Sequence, residues 1–361
     1  MSNFEDSKRI LGLFPSFGIG ITGGIETSAE VAWEALTKHA HHHKQRPFLL
    51  CYGQVPNNAA KFPAVHYAST KHSALIKTLD PRLKPSMVFI WHLGLLKLIP
   101  AFLRHRPRII VFLHGIEAWR KQDRLTSYLL NYVDLFLSNS TYTWNRFLEH
   151  QPQLVSRRNM VVPLGLGETL VEPISQPDER PKLFMLSRLS LKEDYKGHRE
   201  IINAWPEVLM QLPNAQLIIA GEGDLRPALE HLVRTMRLED SIEFLGYISE
   251  ETKHILFSQC RAFAMPSRNE GFGLVYLEAM RMGRPCLVSI MDAGREVVNP
   301  PNAGLAVDVH DQVEVVNAIC RLLTTGSEWE KWSISAKQRY NLLFTKEVFL
   351  SHLTTMIEQV I

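Results

Sequence analysis

Two carboxylates, Glu270 and Glu278, lie eight positions apart around a glycine-rich turn that contains Gly271 and Gly273. An apolar run before the turn predicts a strand, and an amphipathic run over residues 274–282 predicts a helix after it. Glycines let a ligand approach the backbone, and free N–H groups at a helix start attract a phosphate. One carboxylate then suits sugar hydroxyls and the other suits a ribose diol, with a diphosphate between them. A well-capped helix with a surface glutamate is the structural alternative.

The elements that must position this turn follow an alternating pattern along the whole chain. Strands that alternate with amphipathic, helix-length segments predict parallel sheets with right-handed crossovers, and therefore an α/β fold. Two doubly wound, Rossmann-like domains are expected to face each other across a cleft, because ligands bind outside the carboxyl ends of such strands. The predicted strands are residues 10–15, 48–52, 87–92, 109–114, 135–138 and 160–163 in a first set, and 183–187, 215–220, 242–245, 262–265, 286–289 and 305–307 in a second set.

The length of 361 residues also favours two domains, since one core rarely serves so long a chain. Residues 166–181, between the two sets of strands, are rich in Pro, Gly and acidic residues and are predicted to be a linker. The predicted domains are therefore 1–165 and 182–339.

The two-carboxylate motif in this setting resembles the retaining family 4 glycosyltransferases of the GT-B fold. The resemblance is strong over residues 182–310 and weaker but continuous over 1–165. It implies that 1–165 is the acceptor-side domain and that the second predicted domain is the nucleotide-sugar-binding domain. It also implies that Glu270 contacts the transferred sugar, that Glu278 contacts the nucleotide ribose, and that a final helix, about 340–361, crosses back to the first domain. The turn residues Gly271, Phe272, Gly273 and Leu274 are expected to contact the donor as well.

A pair of cations is predicted to hold the donor's diphosphate. Arg188 follows the strand predicted at 183–187, and Lys196 precedes the next predicted helix. An Arg and a Lys at the carboxyl end of a strand, beside a helix start, form a cationic clamp for a diphosphate. The family carries an Arg and a Lys here, with a shorter spacing in some members. The connection also holds Lys192, so the clamp depends on how this loop folds, and a loop of surface ion pairs is the alternative.

Shorter motifs match the family's pattern in other loops. The resemblance implies that a Gly-x-Gly after the second strand of the second domain lies near the donor. It also implies that the nucleobase is held mostly through backbone groups, and that a Gly-Gly in the first loop of the chain approaches the phosphates. The matching residues are Gly221 and Gly223, Gly246 and Tyr247, and Gly23 and Gly24, respectively.

His114 ends a predicted strand of the first domain, at the carboxyl end where ligands bind. The family places a histidine there, near the transferred sugar, so His114 is a predicted catalytic residue together with Arg188, Lys196 and Glu270. Glu117, three residues on, is predicted to touch the acceptor. A strand-end histidine that hydrogen-bonds only to its surroundings is the alternative.

A rival class, the dinucleotide-dependent oxidoreductases, is suggested by the G-x-G-x-x-G pattern that runs from Gly18 to Gly23. That fingerprint requires an acidic residue about twenty positions on, to hold the ribose. The chain offers the basic and histidine-rich stretch 38–44 there instead. This class is therefore disfavoured.

No metal site and no cofactor are expected. His41, His42 and His43 follow a helical pattern, but three adjacent residues do not share a helical face, so a solvated helix end is predicted. The sequence contains no Asp-x-Asp, the usual metal-diphosphate signature of the other large glycosyltransferase fold. Arg188, Lys196 and helix N–H groups would replace the metal.

Composition is that of an ordinary globular protein, with 45% hydrophobic and 21% charged residues. The four cysteines form no CxxC and fit buried free thiols in a reducing cytosol. The polar start of the chain does not fit a signal peptide, and the longest apolar run, 87–103, is too short and too broken to span a bilayer. We therefore expect a cytoplasmic protein.

The net charge of +3 hides an asymmetry, because residues 1–165 hold 20 Lys and Arg against 10 Asp and Glu, whereas the remainder holds 20 against 27. A basic half predicts an anionic partner. Lys97, Arg104–Arg108 and Trp119–Arg124, beside apolar residues, favour the inner face of an anionic membrane with a lipid-linked acceptor, rather than a nucleic acid. A solvated charged face over core residues is the alternative.

Together these features predict a metal-independent, retaining transferase that moves a hexose-type sugar from a nucleoside diphosphate to a glycan, lipid-linked or small-molecule hydroxyl, in polysaccharide or glycoconjugate biosynthesis. A UDP-sugar is the favoured donor and GDP-mannose the second. A nucleotide-sugar 2-epimerase of the same fold is the alternative, and it would need further acid–base carboxylates in the first domain. A binding protein that kept the fold and lost activity is disfavoured, because both glutamates and both cations are intact.

Overall fold

The computed structural model describes residues 9–15, 24–52, 65–80 and 83–359. The chain folds into two compact units. The first unit comprises Met1–Gly167 and Lys346–Ile361, and the second comprises Glu168–Thr345. Each unit has its own parallel sheet covered by helices.

The first unit is built on seven parallel strands. Apolar and β-branched residues dominate them, because both faces of a parallel sheet are covered. The strands are β1 (Arg9–Phe14), β2 (Arg46–Tyr52), β3 (Val65–Ala68), β4 (Pro85–Ile90), β5 (Arg108–Leu113), β6 (Leu135–Ser138) and β7 (Asn159–Val161). The helices are α1 (Gly24–His42), α2 (Lys71–Thr78), α3 (Arg124–Leu129) and α4 (Thr141–His150), with 3₁₀ segments at Leu93–Ala101, Leu103–His105, Leu130–Tyr132 and Pro152–Leu154.

The strand order in this sheet is β3-β2-β1-β4-β5-β6-β7. Successive strands are added on one side of β1 up to β3 and on its other side from β4 onwards, so the strand order reverses between β1 and β4. Leu11 of β1 pairs with Phe48 of β2 and with Val88 of β4, which places β1 inside the sheet. Leu11 and Leu13, and likewise Val88 and Ile90, recur with the period of two that puts alternate residues on one face, and all four lie in one buried cluster.

The second unit has six parallel strands and seven helices in its described residues. The strands are β8 (Lys182–Leu186), β9 (Gln216–Ala220), β10 (Ile242–Gly246), β11 (Ala262–Ala264), β12 (Cys286–Ser289) and β13 (Gly304–Val307). The helices are α5 (His198–Gln211), α6 (Arg226–Thr235), α7 (Glu250–Gln259), α8 (Leu274–Arg281), α9 (Gly294–Val298), α10 (Gln312–Leu323) and α11 (Ser327–Leu343), with a 3₁₀ turn at Leu191–Glu193.

The order of the second sheet is β10-β9-β8-β11-β12-β13, so the reversal falls between β8 and β11. Leu183 of β8 pairs with Leu217 on one side and with Ala262 on the other. Neighbouring loops leave the sheet in opposite directions at such a reversal, which opens a crevice at the carboxyl ends of the two central strands. The loops that follow β8 and β11 are those with Arg188 and with Glu270.

Residues 168–181 group with the second unit. The side chain of Arg284 is fully buried and donates to the carbonyl oxygen of Ser175 at 2.6 Å and to that of Phe257 at 2.7 Å. The side chain of Ile174 packs over Gly283, where an added Cβ would lie 2.9 Å from it. The segment predicted as a linker is therefore held by specific contacts at this end of the unit.

The last helix, α12 (Lys346–Glu358), returns to the first unit and packs on α1. Near its start, the Lys346 Nζ lies 3.0 Å from a carboxylate oxygen of Glu34 on α1. The predicted crossing of the final helix back to the first domain is confirmed.

Every strand predicted from the sequence is present, with small shifts at the ends. One strand, β3, was missed, because it is short and lies at the sheet edge, with His66 exposed and Tyr67 half-buried in place of a clear apolar run. All four cysteines are free and buried, as predicted. Within the described ranges, no helix is both long enough and apolar enough to cross a membrane.

Candidate functional site

The two predicted clamp residues converge on one carboxylate. An Arg188 guanidinium nitrogen lies 2.5 Å from one oxygen of Glu193, and Lys196 Nζ lies 3.0 Å from the other. The 3₁₀ turn at Leu191–Glu193 brings this carboxylate between the two cations. The arrangement is a two-cation site already occupied by an anionic group of the chain itself. The loop of ion pairs considered as an alternative is therefore present, and it is formed by the clamp residues.

The turn before α8 depends on Gly273. Its φ is +83°, in the left-handed region that favours glycine, and an added Cβ would lie 2.4 Å from the Tyr276 ring. Tyr276 is buried, and its hydroxyl donates to the Met265 carbonyl at 2.5 Å, which fixes the ring under the turn. No side chain of the described residues caps the first N–H groups of α8. The helix start is therefore available to an anion.

α5, which follows the clamp loop, also begins at a glycine, Gly197, with no side-chain cap. Side-chain oxygens of Ser249 and Asp311 cap α7 and α10, whereas α6, α9 and α11 also lack a side-chain cap among the described residues. What sets α5 and α8 apart is their position, because they follow β8 and β11, the two strands at the reversal of the sheet. The partial positive charge of α5 therefore lies at the end of the loop with the two clamp residues, and that of α8 at the end of the loop with Glu270.

Glu270 is half-buried, and its carboxylate forms no ion pair within the described ranges. Its backbone N–H donates to Asp292 at 3.0 Å. Burial raises the pKa of Asp292 to about 7; the Glu270 carboxylate adds to this, while N–H donation from Gly294 and Glu270 opposes it. Asp292 thus fixes the backbone of Glu270, and the Glu270 side chain is left for a ligand.

Glu278 lies on α8 and pairs with Lys253 of α7, whose Nζ donates to Glu278 Oε1 at 2.6 Å. Burial alone would lower the pKa of Lys253, but the Glu278 and Glu250 carboxylates outweigh burial and raise it. The ammonium is therefore charged at neutral pH. The surface-glutamate alternative does not describe Glu278, whose side chain is 24% exposed and has a fixed partner.

The other loops of the second unit lie against the clamp loop. The Ser187 N–H donates to Ala220 at 3.2 Å, and an added Cβ on Gly221 would overlap the Ser187 carbonyl at 1.8 Å. The Arg268 N–H donates to the Tyr195 carbonyl at 3.0 Å, which joins the clamp loop to the turn before α8. The donor residues predicted after β8, β9 and β11 are therefore brought together.

Gly223, after β9, and Gly246, at the end of β10, also lie against the loops that follow β8 and β9. An added Cβ on Gly223 would lie 2.2 Å from the Leu189 carbonyl, and the Gly221 N–H donates to the Gly246 carbonyl at 2.8 Å. Tyr247 is 80% exposed, so its ring is free to stack on a base. Phe272 is buried against Phe344, whereas Leu274 is half-buried at the first position of α8.

In the first unit, His114 is buried at the end of β5. Its Nε2 lies 2.6 Å from the Trp91 carbonyl oxygen; a carbonyl only accepts, so the proton is on Nε2. Burial lowers the pKa of His114 to about 4, and the ring is neutral at neutral pH. Nδ1 is left with no hydrogen-bond partner among the described residues. Glu117 accepts from the His114 backbone N–H at 2.6 Å and so holds the His114 turn.

Gly24 is the first residue of α1, whereas Gly23 and the rest of the G-x-G-x-x-G stretch from Gly18 lie outside the described residues. The histidines that follow, His41 and His42, are exposed at the end of α1. The roles predicted for the glycines of this loop stay predictions.

The predicted basic surface is only partly as expected. The apolar residues beside it are buried in the core of the first unit, so the alternative holds for them: Leu93, Leu95, Leu96, Ile99 and Phe102. Lys97 forms a 2.6 Å ion pair with Asp123, which joins the two basic stretches. Arg104 and Arg106 are exposed. These five apolar residues therefore do not belong to the exposed basic surface, although Leu125, next to Arg124, is 49% exposed.

Three residues that shape this site were missed from the sequence: Glu193, Asp292 and Lys253. Glu193 lies in the clamp loop, and only the 3₁₀ turn brings it to the cations. Asp292 follows β12, and its place at a carboxyl strand end was the available signal. Lys253 is 25 positions from Glu278, and no pattern in the sequence relates the two.

Comparison with known proteins first defines the fold. The structure matches that of Anabaena Alr3699/HepE in complex with UDP and glucose, with a TM-score of 0.73 and 18% identity over 98% of this chain and 100% of the other. It also matches sucrose-phosphate synthase from Thermosynechococcus elongatus, with a TM-score of 0.73 and 19% identity over 98% and 99%. The predicted α/β, GT-B fold class is confirmed.

Sequence comparison then defines the relatives. Residues 168–339 match the family model of glycosyl transferases group 1. An uncharacterized glycosyltransferase of Methanocaldococcus jannaschii is 33% identical over 77% of this chain and 57% of its own length. A GDP-mannose-dependent alpha-(1-6)-phosphatidylinositol monomannoside mannosyltransferase of Mycobacterium tuberculosis is 28% identical over 46% of each chain. The chain thus spans about half the length of the curated relatives it matches.

The Glu193→Gln variant is expected to bind UDP and GDP about two- to fivefold more tightly, because a diphosphate no longer competes with a carboxylate for Arg188 and Lys196. Isothermal titration calorimetry measures this. The control, Glu243→Gln, removes the same charge from the start of β10. Weaker binding in Glu193→Gln alone would contradict competition and would mean that Glu193 orients the two cations.

Proposed function

We propose that this chain is a retaining, metal-independent glycosyltransferase that transfers a hexose-type sugar from a nucleoside diphosphate to a hydroxyl acceptor. The observation that carries the proposal is the meeting of Arg188 and Lys196 on one anionic group. The match of residues 168–339 to glycosyl transferases group 1 supports the reaction class.

The main task in this reaction is to stabilise the negative charge that develops on the departing β-phosphate, and preorganised cations and N–H groups lower that barrier most. We propose that these groups are Arg188, Lys196 and the uncapped N–H groups of α5 and α8. Because these groups are fixed before the donor binds, they need little rearrangement as the sugar–phosphate bond breaks. We propose that the acceptor attacks from the face that the diphosphate leaves, with retention.

Glu270 and His114 are proposed to hold the transferred sugar. The Glu270 carboxylate is free of ion pairs in the described ranges and can accept from sugar hydroxyls. The neutral His114 ring leaves Nδ1 as an acceptor for a hydroxyl proton. Glu117, which was predicted at the acceptor, is proposed to act at least by positioning His114 through its backbone N–H.

The donor is proposed to be a UDP-sugar, with GDP-mannose as the second choice. The Anabaena structure of the same fold holds UDP and glucose, whereas the mycobacterial relative is GDP-mannose-dependent. Gly246 and the exposed Tyr247 ring are proposed to contact the base, and Glu278 the ribose. Backbone contacts and stacking select weakly between bases, so the choice has to be measured.

A screen of UDP-glucose, UDP-galactose, UDP-N-acetylglucosamine and GDP-mannose tests the function. One of them is expected to raise the Tm by several degrees through mass action and to be hydrolysed slowly. EDTA is expected to leave this hydrolysis intact. If none is bound or hydrolysed, the proposal is wrong. Loss in EDTA with recovery on Mn²⁺ or Mg²⁺ would overturn only the metal-free mechanism.

The variants Arg188→Ala and Lys196→Ala are each expected to lower kcat about 10²- to 10³-fold, with a smaller effect on donor Kd, because their charge matters most as the β-phosphate leaves. Steady-state kinetics and calorimetry separate the two effects. Lys192→Ala, in the same loop, is the matched control and should keep near-normal turnover. The reverse result, with only Lys192→Ala impaired, would move the clamp to Lys192.

We also propose that the first unit contacts the inner face of an anionic membrane, where a lipid-linked acceptor would be met. The support is electrostatic. The ion pair between Lys97 and Asp123 joins two basic stretches into one exposed surface that includes Arg104 and Arg106. Each Lys or Arg near anionic lipid contributes roughly 1 kcal/mol, and the contribution falls as salt screens it.

Co-sedimentation with vesicles checks this contact. Binding to phosphatidylserine-containing vesicles is expected at low salt and should weaken at high salt, with little binding to neutral vesicles. The double variant with Arg104→Gln and Arg106→Gln should bind these vesicles severalfold more weakly. The control with Arg234→Gln and Lys331→Gln removes two charges from the second unit and should bind the vesicles as wild type does. Equal binding to both vesicle types would favour a soluble acceptor.

A further inference from the structure

Three side chains with metal-ligating atoms meet where α1 and α12 end in the first unit. His39 lies in the last turn of α1 and His43 directly follows the last residue of that helix, and their ring centroids are 4.4 Å apart. Glu358 is the last residue of α12. One ligand atom from each of the three lies within 4.8 Å of the other two. Two imidazoles and a carboxylate therefore point at one small volume.

His39 gives a second, independent observation. It is fully buried, yet neither of its ring nitrogens has a hydrogen-bond partner in the described part of the chain. Most buried polar side-chain atoms in proteins have a partner, because leaving one unsatisfied costs stability. The ring of His43, which is exposed, lies directly beside it. A ligand shared by these residues would satisfy His39.

The direction of the two helices also favours a cation. Lys346, at the start of α12, pairs with Glu34 in the middle of α1, whereas Glu358, at the end of α12, lies with His39 and His43 at the end of α1. The two helices therefore run in the same direction, and both carboxyl termini meet here. Each terminus carries a partial negative charge that attracts cations.

We propose that His39, His43 and Glu358 bind a divalent transition-metal ion of the zinc class, which fastens the end of α12 to α1. Imidazole and carboxylate ligands suit Zn²⁺, whereas Ca²⁺ and Mg²⁺ prefer oxygen ligands alone. Ligand atoms around a tetrahedral zinc are roughly 3.3 Å apart. His43 and Glu358 are both exposed, so small side-chain rotations bring the group to that size.

This site lies in the first unit and uses none of the residues proposed to hold the donor. Its role is structural, since it ties the last helix of the chain to the first one. His41 and His42, which are adjacent in the sequence, are not part of the cluster. In the sequence, the signal for this metal site is the pair of histidines four positions apart, His39 and His43. The third ligand, Glu358, is more than 300 positions away.

The test uses the 361-residue chain without a tag, freed of metal by a chelator. Calorimetry with ZnCl₂ is expected to show one site per chain, and Zn²⁺ should raise the Tm by about 3–6 °C. MgCl₂ and CaCl₂ should do neither. His43→Gln should weaken Zn²⁺ binding at least tenfold, and Glu358→Gln severalfold. Because both side chains are exposed, these variants should fold normally, unlike a change at buried His39.

His41→Gln is the matched control, since it removes an exposed histidine from the same helix end, and it should bind Zn²⁺ as wild type does. Hydrogen exchange of the α12 amides should slow on Zn²⁺ addition in wild type and in His41→Gln, but not in His43→Gln. No Zn²⁺ binding by wild type would overturn the proposal. So would equal losses in His41→Gln and His43→Gln, which would indicate adventitious binding to the exposed histidines.

Discussion

The site in the second unit depends on one electrostatic constraint, which is that two cations held at the end of β8 need an anion between them. In this structure the anion is Glu193, which lies 2.5 Å from Arg188 and 3.0 Å from Lys196. Like charges so close together would repel, so the carboxylate also keeps the two side chains converged. A diphosphate carries the same charge sign and can replace it. The loop is therefore preorganised by the type of group it is proposed to bind.

The sheet order explains why these cations lie beside a helix start. The reversal falls between β8 and β11, and the loops after these strands meet through the Arg268 N–H bond to the Tyr195 carbonyl, at the strand ends where such sheets bind ligands. α5 and α8 begin on these loops without side-chain caps, as α6, α9 and α11 do elsewhere in the second unit. What distinguishes α5 and α8 is their place at the reversal, where an anion can accept hydrogen bonds from their first N–H groups.

The strands were readable from the sequence because buried parallel strands are short apolar runs, and only the edge strand β3 lacked that pattern. Motif spacing predicted Glu270, Glu278, Arg188 and Lys196 as site residues, and their roles stay predictions. The partners of these residues were not predicted, because Lys253, Asp292 and Glu193 reach the site through tertiary contacts or a 3₁₀ turn. For the basic surface, the sequence predicted exposed apolar residues that the structure buries. Apolar residues beside charges suggested a membrane-facing surface, but 3₁₀ segments turn them into the core.

The pair between Lys253 and Glu278 shows how a missed partner changes the chemistry of a predicted residue. An isolated carboxylate at a half-buried position is driven towards its neutral form, which accepts hydrogen bonds poorly. Burial raises the pKa of Glu278, and the Lys253 ammonium limits that rise while it donates to Oε1 and leaves Oε2 without a described partner. A ribose diol would then meet a carboxyl group whose orientation is already fixed. The conformational entropy of the Glu278 side chain is lost when the protein folds rather than when a ligand binds. The ion pair with Lys253 would therefore improve the affinity of Glu278 for the ribose.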